Sequence, residues 1–244
     1  MTPTLSTPAL VLHTTQYAET SVIAKIFTRQ LGVRSYILKG VRKGGSRTKQ
    51  NLLQPLSYLD LVVYNNPKTQ LNYLKEIAPH GGAVPRISED MSDEAVHNAL
   101  RFFMTELLYK TLREEEPMPE LFDYVVDSVQ FRGDGRSLSH QPILFLLTVS
   151  RYLGIEPLDN YSQREPLFDQ QGGRFCFGGE NTLGAGTSQL LHYYLQAVNG
   201  DEPAPLTTLS QRTELINSLL DYFQIHLTEF RNFKSHEILH TVLQ

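Results

Sequence analysis

The sequence predicts an α+β chain in two parts: a small five-stranded β-barrel over residues 1–80, then an all-α domain over residues 81–244 with an irregular insertion at 155–186. Three observations predict it. Before residue 80 the chain falls into short β-prone runs broken by turn residues, with no long helical stretch. Beyond Pro79-His80-Gly81-Gly82, apolar residues recur at every third or fourth position, the period of a helix. Formal charge divides at the same place. Ten Lys/Arg face three acids in residues 1–80 and 12 face 23 in residues 81–244, although the whole chain carries only −4.

The strands come first. Residues 10–15 are apolar and β-prone. Residues 20–28 alternate Val22, Ala24 and Ile26 against Ile23, Lys25 and Phe27. Residues 33–39 follow a turn at Gly32, and residues 56–64 are dense in Leu, Val and Tyr before the turn signal Asn65-Asn66-Pro67. Residues 71–77 make the fifth. Five short strands in so few residues fit an OB-fold, a small Greek-key barrel whose surface and loops bind oligonucleotides.

The helices follow. Residues 91–116 carry Val96, Ala99, Leu100, Phe103, Leu107, Leu108 and Leu112 on one stripe and stop before Pro117. Residues 120–131 repeat the pattern. Residues 142–153 are apolar nearly all round, which marks a buried central helix, and Gly154 suits its C-terminal cap. Residues 155–186 are rich in Gly, Asn, Gln and Pro. A helix over 188–198 ends at Asn199-Gly200, Thr208 with Gln211 makes a capping box for one running to about 227, and Ser235 starts a last short one.

Several classes are set aside. No apolar run approaches the roughly 18 residues that a membrane span needs. Residues 1–8 have neither the basic cluster nor the apolar core of a signal peptide. Cys176 is the single cysteine, so no internal disulfide framework is expected and the reading is cytoplasmic. P-loop, G-x-S-x-G and paired-carboxylate motifs are missing, so no catalysis and no cofactor are expected. One pattern points the other way: His236-Glu237-Ile238-Leu239-His240 is an H-E-x-x-H, which on a helix puts two zinc-ligating imidazoles on one face. Only four residues follow it, and Ile238, Leu239, Val242 and Leu243 read as a packing stripe. It is therefore expected to be a docking helix rather than a zinc hydrolase.

The strongest local signal is cationic. Residues 25–49 hold eight Lys/Arg and no acid, and Gly40, Gly44 and Gly45 interleave the charges. A mobile positive loop on a barrel rim can follow a phosphate backbone without reading bases. Arg34, Lys39, Arg42, Lys43, Arg47 and Lys49 are the candidate DNA ligands. Tyr36 and Tyr58 on the flanking strands offer stacking faces if they point outward; the competing reading is barrel core.

These segments carry a resemblance. Thr15 with Glu19-Thr20, the Lys39-Gly40-Val41-Arg42-Lys43 turn, Leu53-Gln54-Pro55-Leu56 and Leu71…Leu74-Lys75-Glu76 resemble the N-terminal OB-fold of the bacterial RecO family. Leu153-Gly154-Ile155-Glu156-Pro157-Leu158, Phe168-Asp169 with Gly172-Gly173-Arg174-Phe175, Tyr222…His226 and Phe233-Lys234-Ser235…Leu239 are similar to its helical part. The resemblance implies a mediator of DNA repair and homologous recombination. Such a protein binds single-stranded and duplex DNA, anneals complementary strands and helps load RecA. Its partners are RecR, sometimes RecF, and the acidic C-terminal tail of single-stranded-DNA-binding protein (SSB), in a bacterial cytoplasm at the nucleoid. For that tail, Arg101, Arg132 and Arg151 are candidates on or beside apolar helices. One departure stands out. Many members have a four-cysteine zinc site after Leu-Gly-x-x-Pro-Leu, whereas here Asn160-Tyr161-Ser162-Gln163 replaces the first pair and only Cys176 lies near the second. The insertion is thus expected to be metal-free and of uncertain local stability. The competing functional readings are a protein-binding OB adaptor and the zinc hydrolase.

Overall fold

The structure, a computed structural model, describes residues 4–41, 51–64, 71–82, 91–130, 135–200 and 203–242. All five expected strands are present: β1 (Thr4–Gln16), β2 (Val22–Thr28), β3 (Gly32–Leu38), β4 (Tyr58–Tyr64) and β5 (Leu71–Pro79). They close into a barrel in the order β1-β2-β3-β5-β4, with β4 returning to β1. Every pairing is antiparallel except β3–β5, which is parallel and held at only three positions, Ser35↔Leu71, Tyr36↔Asn72 and Ile37↔Tyr73. β1 is much longer than its local pattern suggests because β4 pairs with its first half and β2 with its second.

The period-2 alternation fills the barrel. Ala24 and Ile26 of β2, Tyr36 and Leu38 of β3, and Leu59, Leu61 and Val63 of β4 point inward and form one apolar cluster with Ala9 and Val11. The opposite parity of β1–β3 is also apolar. Leu10 pairs with Phe27 and Phe27 with Val33, and each is at most 1% exposed although none belongs to the interior cluster. A two-sided apolar sheet needs a cover on its outside.

That cover comes from further along the chain. Helix α1 (Met91–Thr111) is followed by an extended stretch and α2 (Pro119–Ser128). Phe122 of α2 meets Phe27 edge-on at 5.3 Å between ring centroids. In the extended stretch, the Glu115 N–H donates to the Val33 carbonyl (2.9 Å), and Glu114 bridges Val33 like a short extra strand. Gly32 has φ +66°, and a Cβ there would lie 2.3 Å from the Glu116 carbonyl oxygen. The barrel's compact unit therefore comprises Met1–Glu94 and Thr105–Arg132; the second comprises Ala95–Met104 and Gly133–Gln244.

The second unit is helical. α3 (Gly135–Tyr152) packs against α4 (Ala185–Asn199) and α5 (Leu209–His226), and α6 (Ser235–Val242) follows. Ile143, Phe145, Leu146, Leu147 and Val149 of α3 are all but fully buried, as expected of a central helix. α3 starts earlier than the sequence pattern places it. Pro142 lies inside it rather than opening it, because Leu138 and His140 already pack as helical residues. Gly154 ends α3 with φ +71° and its N–H on the Arg151 carbonyl (3.1 Å), while the Ile155 N–H reaches the Ser150 carbonyl (3.0 Å). The capping box of α5 is present: Gln211 N–H to Thr208 Oγ1 at 3.3 Å, Thr208 N–H to Gln211 Oε1 at 2.9 Å.

The insertion is more regular than its composition implies. β6 (Leu167–Asp169) and β7 (Arg174–Cys176) form a two-stranded antiparallel hairpin with Phe168 and Phe175 buried in edge-to-face contact at 5.2 Å. The Asn160 carboxamide fastens it, accepting from the Phe175 N–H (2.8 Å) and donating to the Phe175 carbonyl (3.0 Å). Tyr161 lies edge-on to Phe175 and stacks on His192 (4.5 Å, 14°), which meets Asp159 at 2.7 Å. Among the described residues, no helix is long and apolar enough to cross a membrane.

Candidate nucleic-acid interface

Of the six expected DNA ligands, Arg42, Lys43, Arg47 and Lys49 lie outside the described residues. Arg34 and Lys39 are described, and the barrel treats them differently. Arg34 pairs in register with Ile26, whose side chain is inside, so Arg34 shares the inward parity of Tyr36. Its side chain is 11% exposed, and the Glu115 carboxylate stands 3.9 Å away. Lys25 and Arg29 are also matched by acids of the covering segment. Lys25 lies 3.4 Å from Glu114 and 4.9 Å above the Tyr109 ring. Arg29 forks onto Asp123 with two bonds of 2.8 Å, a bidentate grip that holds the Asp123 carboxyl below its ordinary range. Three cations of the basic run thus face acids of residues 114–123.

Lys39 is exposed and lies at the edge of a groove. β3 and β5 part after the Ile37↔Tyr73 pair, and a groove of about 500 Å³ opens between them, lined by Ile37, Lys39, Val41, Tyr73, Lys75 and Ile77 among others. The Lys39 Nζ sits 5.2 Å from the centroid of the Tyr73 ring, a cation–π contact, and Tyr73 is 50% exposed. Lys75 lies beyond it, 3.8 Å from Glu76.

The two tyrosines singled out by sequence are elsewhere. Tyr36 is fully buried in the barrel core, and burial pushes its phenol up to about 12. Tyr58 is half-buried and stacked on His80 at 4.0 Å, whose Nδ1 meets Asp60 at 2.8 Å. The open aromatic face on this side is Tyr73, which sequence reasoning passed over. Tyr73 points out between the buried Asn72 and Leu74, which packs against the interior cluster; the sequence hid this, because Ile77 has the parity of Tyr73 and also faces the cluster, a bulge between them shifting the register.

In the helical unit, Arg151 is engaged by Glu156 through two nitrogens (2.8 and 2.6 Å) and by Asn199 at 2.5 Å. Arg101 also has an interaction partner, and Arg132 lies outside the described residues. The donor set near the hairpin does not fit a four-coordinate zinc. Asn160 is bound to the Phe175 backbone, Ser162 Oγ accepts from the Glu165 N–H, and Cys176 is the single thiol. Among the described residues, no three His, Cys, Asp or Glu side chains group as a metal site. The second histidine of the H-E-x-x-H, His240, has its side chain outside the described set.

Comparison with known proteins matches both parts of the chain. The family model described as "Recombination protein O N terminal" covers residues 1–82, and "Recombination protein O C terminal" covers residues 95–161. DNA repair protein RecO of Christiangramia forsetii is 27% identical over 248 residues, spanning 98% of each chain. Its namesake in Phocaeicola vulgatus is 28% identical over 239 residues, spanning 96% of each. That of Porphyromonas gingivalis is 29% identical over 250 residues, spanning 96% of this chain and 97% of the other. A five-stranded barrel under the first model, helices under the second and relatives of one name along the whole length lead to one conclusion: this chain belongs to the RecO family.

Proposed function

We propose that the chain is a DNA repair and recombination mediator that binds nucleic acid and carries no catalytic chemistry of its own. The observation that supports this most is the acid-free run of residues 25–49, which leads from the paired cations of β2 and β3 to an exposed Lys39 beside an open groove. Cations in such a run attract a polyanion and release its counterions, which makes binding strong, salt-dependent and indifferent to sequence. Single-stranded and duplex DNA both present phosphates to it. The phosphate ligands are Lys39, Arg42, Lys43, Arg47 and Lys49; Arg34, turned inward and facing Glu115, acts by positioning the barrel wall instead. Annealing of complementary strands, RecA loading together with RecR, capture of the SSB tail by the helical unit and residence at the bacterial nucleoid belong to the same reading.

The test is a salt series on the full-length protein. Replacing Lys39, Arg42, Lys43 and Arg47 by Ala should weaken binding to every DNA sequence alike. The log–log salt slope on single strands should shrink by roughly 0.7 for each phosphate that the variant no longer neutralises. An annealing assay on the same variant should show a parallel loss. An unchanged slope with unchanged affinity would move the footprint elsewhere. A protein that binds no DNA at low salt would favour a protein-binding adaptor.

A further inference from the structure

A hairpin of two three-residue strands does not hold by itself in water, and small irregular elements usually take a disulfide or a metal as a staple. Cys176 is the one thiol of the chain, and one thiol builds neither a disulfide nor a thiolate metal site. Residues 155–186 have instead a set of polar contacts with a regular layout. On α4 the contacts recur every fourth residue. Ser188 Oγ accepts from the Phe168 N–H (3.0 Å) and donates to the Leu183 carbonyl (3.2 Å). His192 Nδ1 lies 2.7 Å from one oxygen of Asp159, and Gln196 Nε2 donates to the other (2.6 Å). α5 repeats the spacing. The Ser218 carbonyl accepts from the Gln170 side chain (2.8 Å), the Tyr222 hydroxyl donates to the Ile155 carbonyl (2.9 Å), and His226 Nε2 donates to the Gln170 carbonyl (2.8 Å). Residues four apart share one face of a helix, so each helix turns a polar stripe to the insertion.

From this layout we infer that the insertion is stapled by side chains in the place of a metal, with Asn160 as the central clasp, so that the helical unit keeps its shape whatever the metal supply or the state of its thiol. Asn160 closes the set from the insertion's own side. Its two bonds to the Phe175 N–H and carbonyl hold β7 as a third strand would. A carboxamide donates and accepts at once, which suits a backbone N–H and C=O pair; a carboxylate only accepts. The neighbours of Asn160 are committed too. Tyr161 rests on the His192 ring, and Ser162 Oγ accepts from the Glu165 N–H to close a turn. The residues that stand at the first cysteine pair of other members therefore hold backbone groups and a ring here. The insertion is a fastened part of the helical unit, and this holds independently of the DNA-binding reading above.

The experiment is amide hydrogen exchange on the full-length protein, read by mass spectrometry over residues 157–177. Asn160→Ala should speed exchange there by roughly 5- to 150-fold, the range expected when buried backbone groups lose their partner. Asn160→Asp can still accept from the Phe175 N–H but no longer donates to its carbonyl, so it should fall between Asn160→Ala and the wild type. A zinc chelator added to the wild type should leave the exchange unchanged, and so should Cys176→Ser. Exchange in Asn160→Ala at the wild-type rate would overturn the inference. So would a chelator, or Cys176→Ser, that opens the hairpin as far as Asn160→Ala does. Should Asn160→Ala fail to fold, the chelator arm on the wild type decides: a hairpin that stays protected supports the side-chain staple, and one that opens overturns it.

Discussion

Gly32 shows how much one residue fixes. Its φ of +66° is in the left-handed region, and its missing Cβ leaves room for the Glu116 backbone, whose oxygen would be 2.3 Å from that atom. Gly40 has nearly the same φ, +72°, and nothing within 4 Å. The two therefore separate strain from clash. Gly40→Ala should destabilise by about 1 kcal/mol, from the dihedral alone, and Gly32→Ala by at least about 2 kcal/mol, because the covering segment must also move. Urea midpoints of the two variants check this; equal losses would show that residues 114–116 yield freely. Gly32 was legible in the sequence as a turn, but Glu116 was not, since nothing local joins two positions so far apart. Which way Arg34 and Tyr36 point was not legible for the same reason. Charge and aromaticity are read one residue at a time, whereas inward or outward parity belongs to a strand with its partners in place.

At the scale of elements, α2 is a lid for the outer face of the barrel. Phe122 is fully buried and packs edge-on against Phe27. Phe122→Ala should cost about 3–5 kcal/mol, as for other large aromatic truncations in a core, and should lower the unfolding midpoint of the barrel. A loss under about 1 kcal/mol would mean that the face is adequately covered without it. The order of elements itself was largely legible: alternation found five strands, the 3.6 period found the helices, and Thr208 with Gln211 marked a real cap. The hairpin was not legible. β6 and β7 have three residues each, too few for a period, and Asn160, a side chain outside both strands, holds them together.

At the scale of the whole molecule, compactness does not follow the order of the chain. Helix α1 is divided, its residues from Ala95 to Met104 grouped with the helical unit and those from Thr105 with the barrel. The break in composition near residue 80 marks where strands give way to helices, and residues 105–132 nevertheless complete the first unit. A fragment of residues 1–80 would expose Leu10, Phe27 and Val33 on its outer face and leave Lys25, Arg29 and Arg34 without their acids. It should bind a hydrophobic dye and unfold without a cooperative transition, whereas the full chain should do neither. A soluble, cooperatively unfolding fragment would show that the cover is dispensable.

The same division sets a clock during synthesis. A ribosome adding roughly 5–20 residues per second needs some 3–10 seconds to pass from residue 80 to residue 132. Throughout that interval all five strands have been made while the lid for Phe27 and Val33 has not. The nascent barrel waits with an apolar stripe uncovered, the kind of surface that chaperones shield, and its last strand is not the point at which it becomes safe from aggregation.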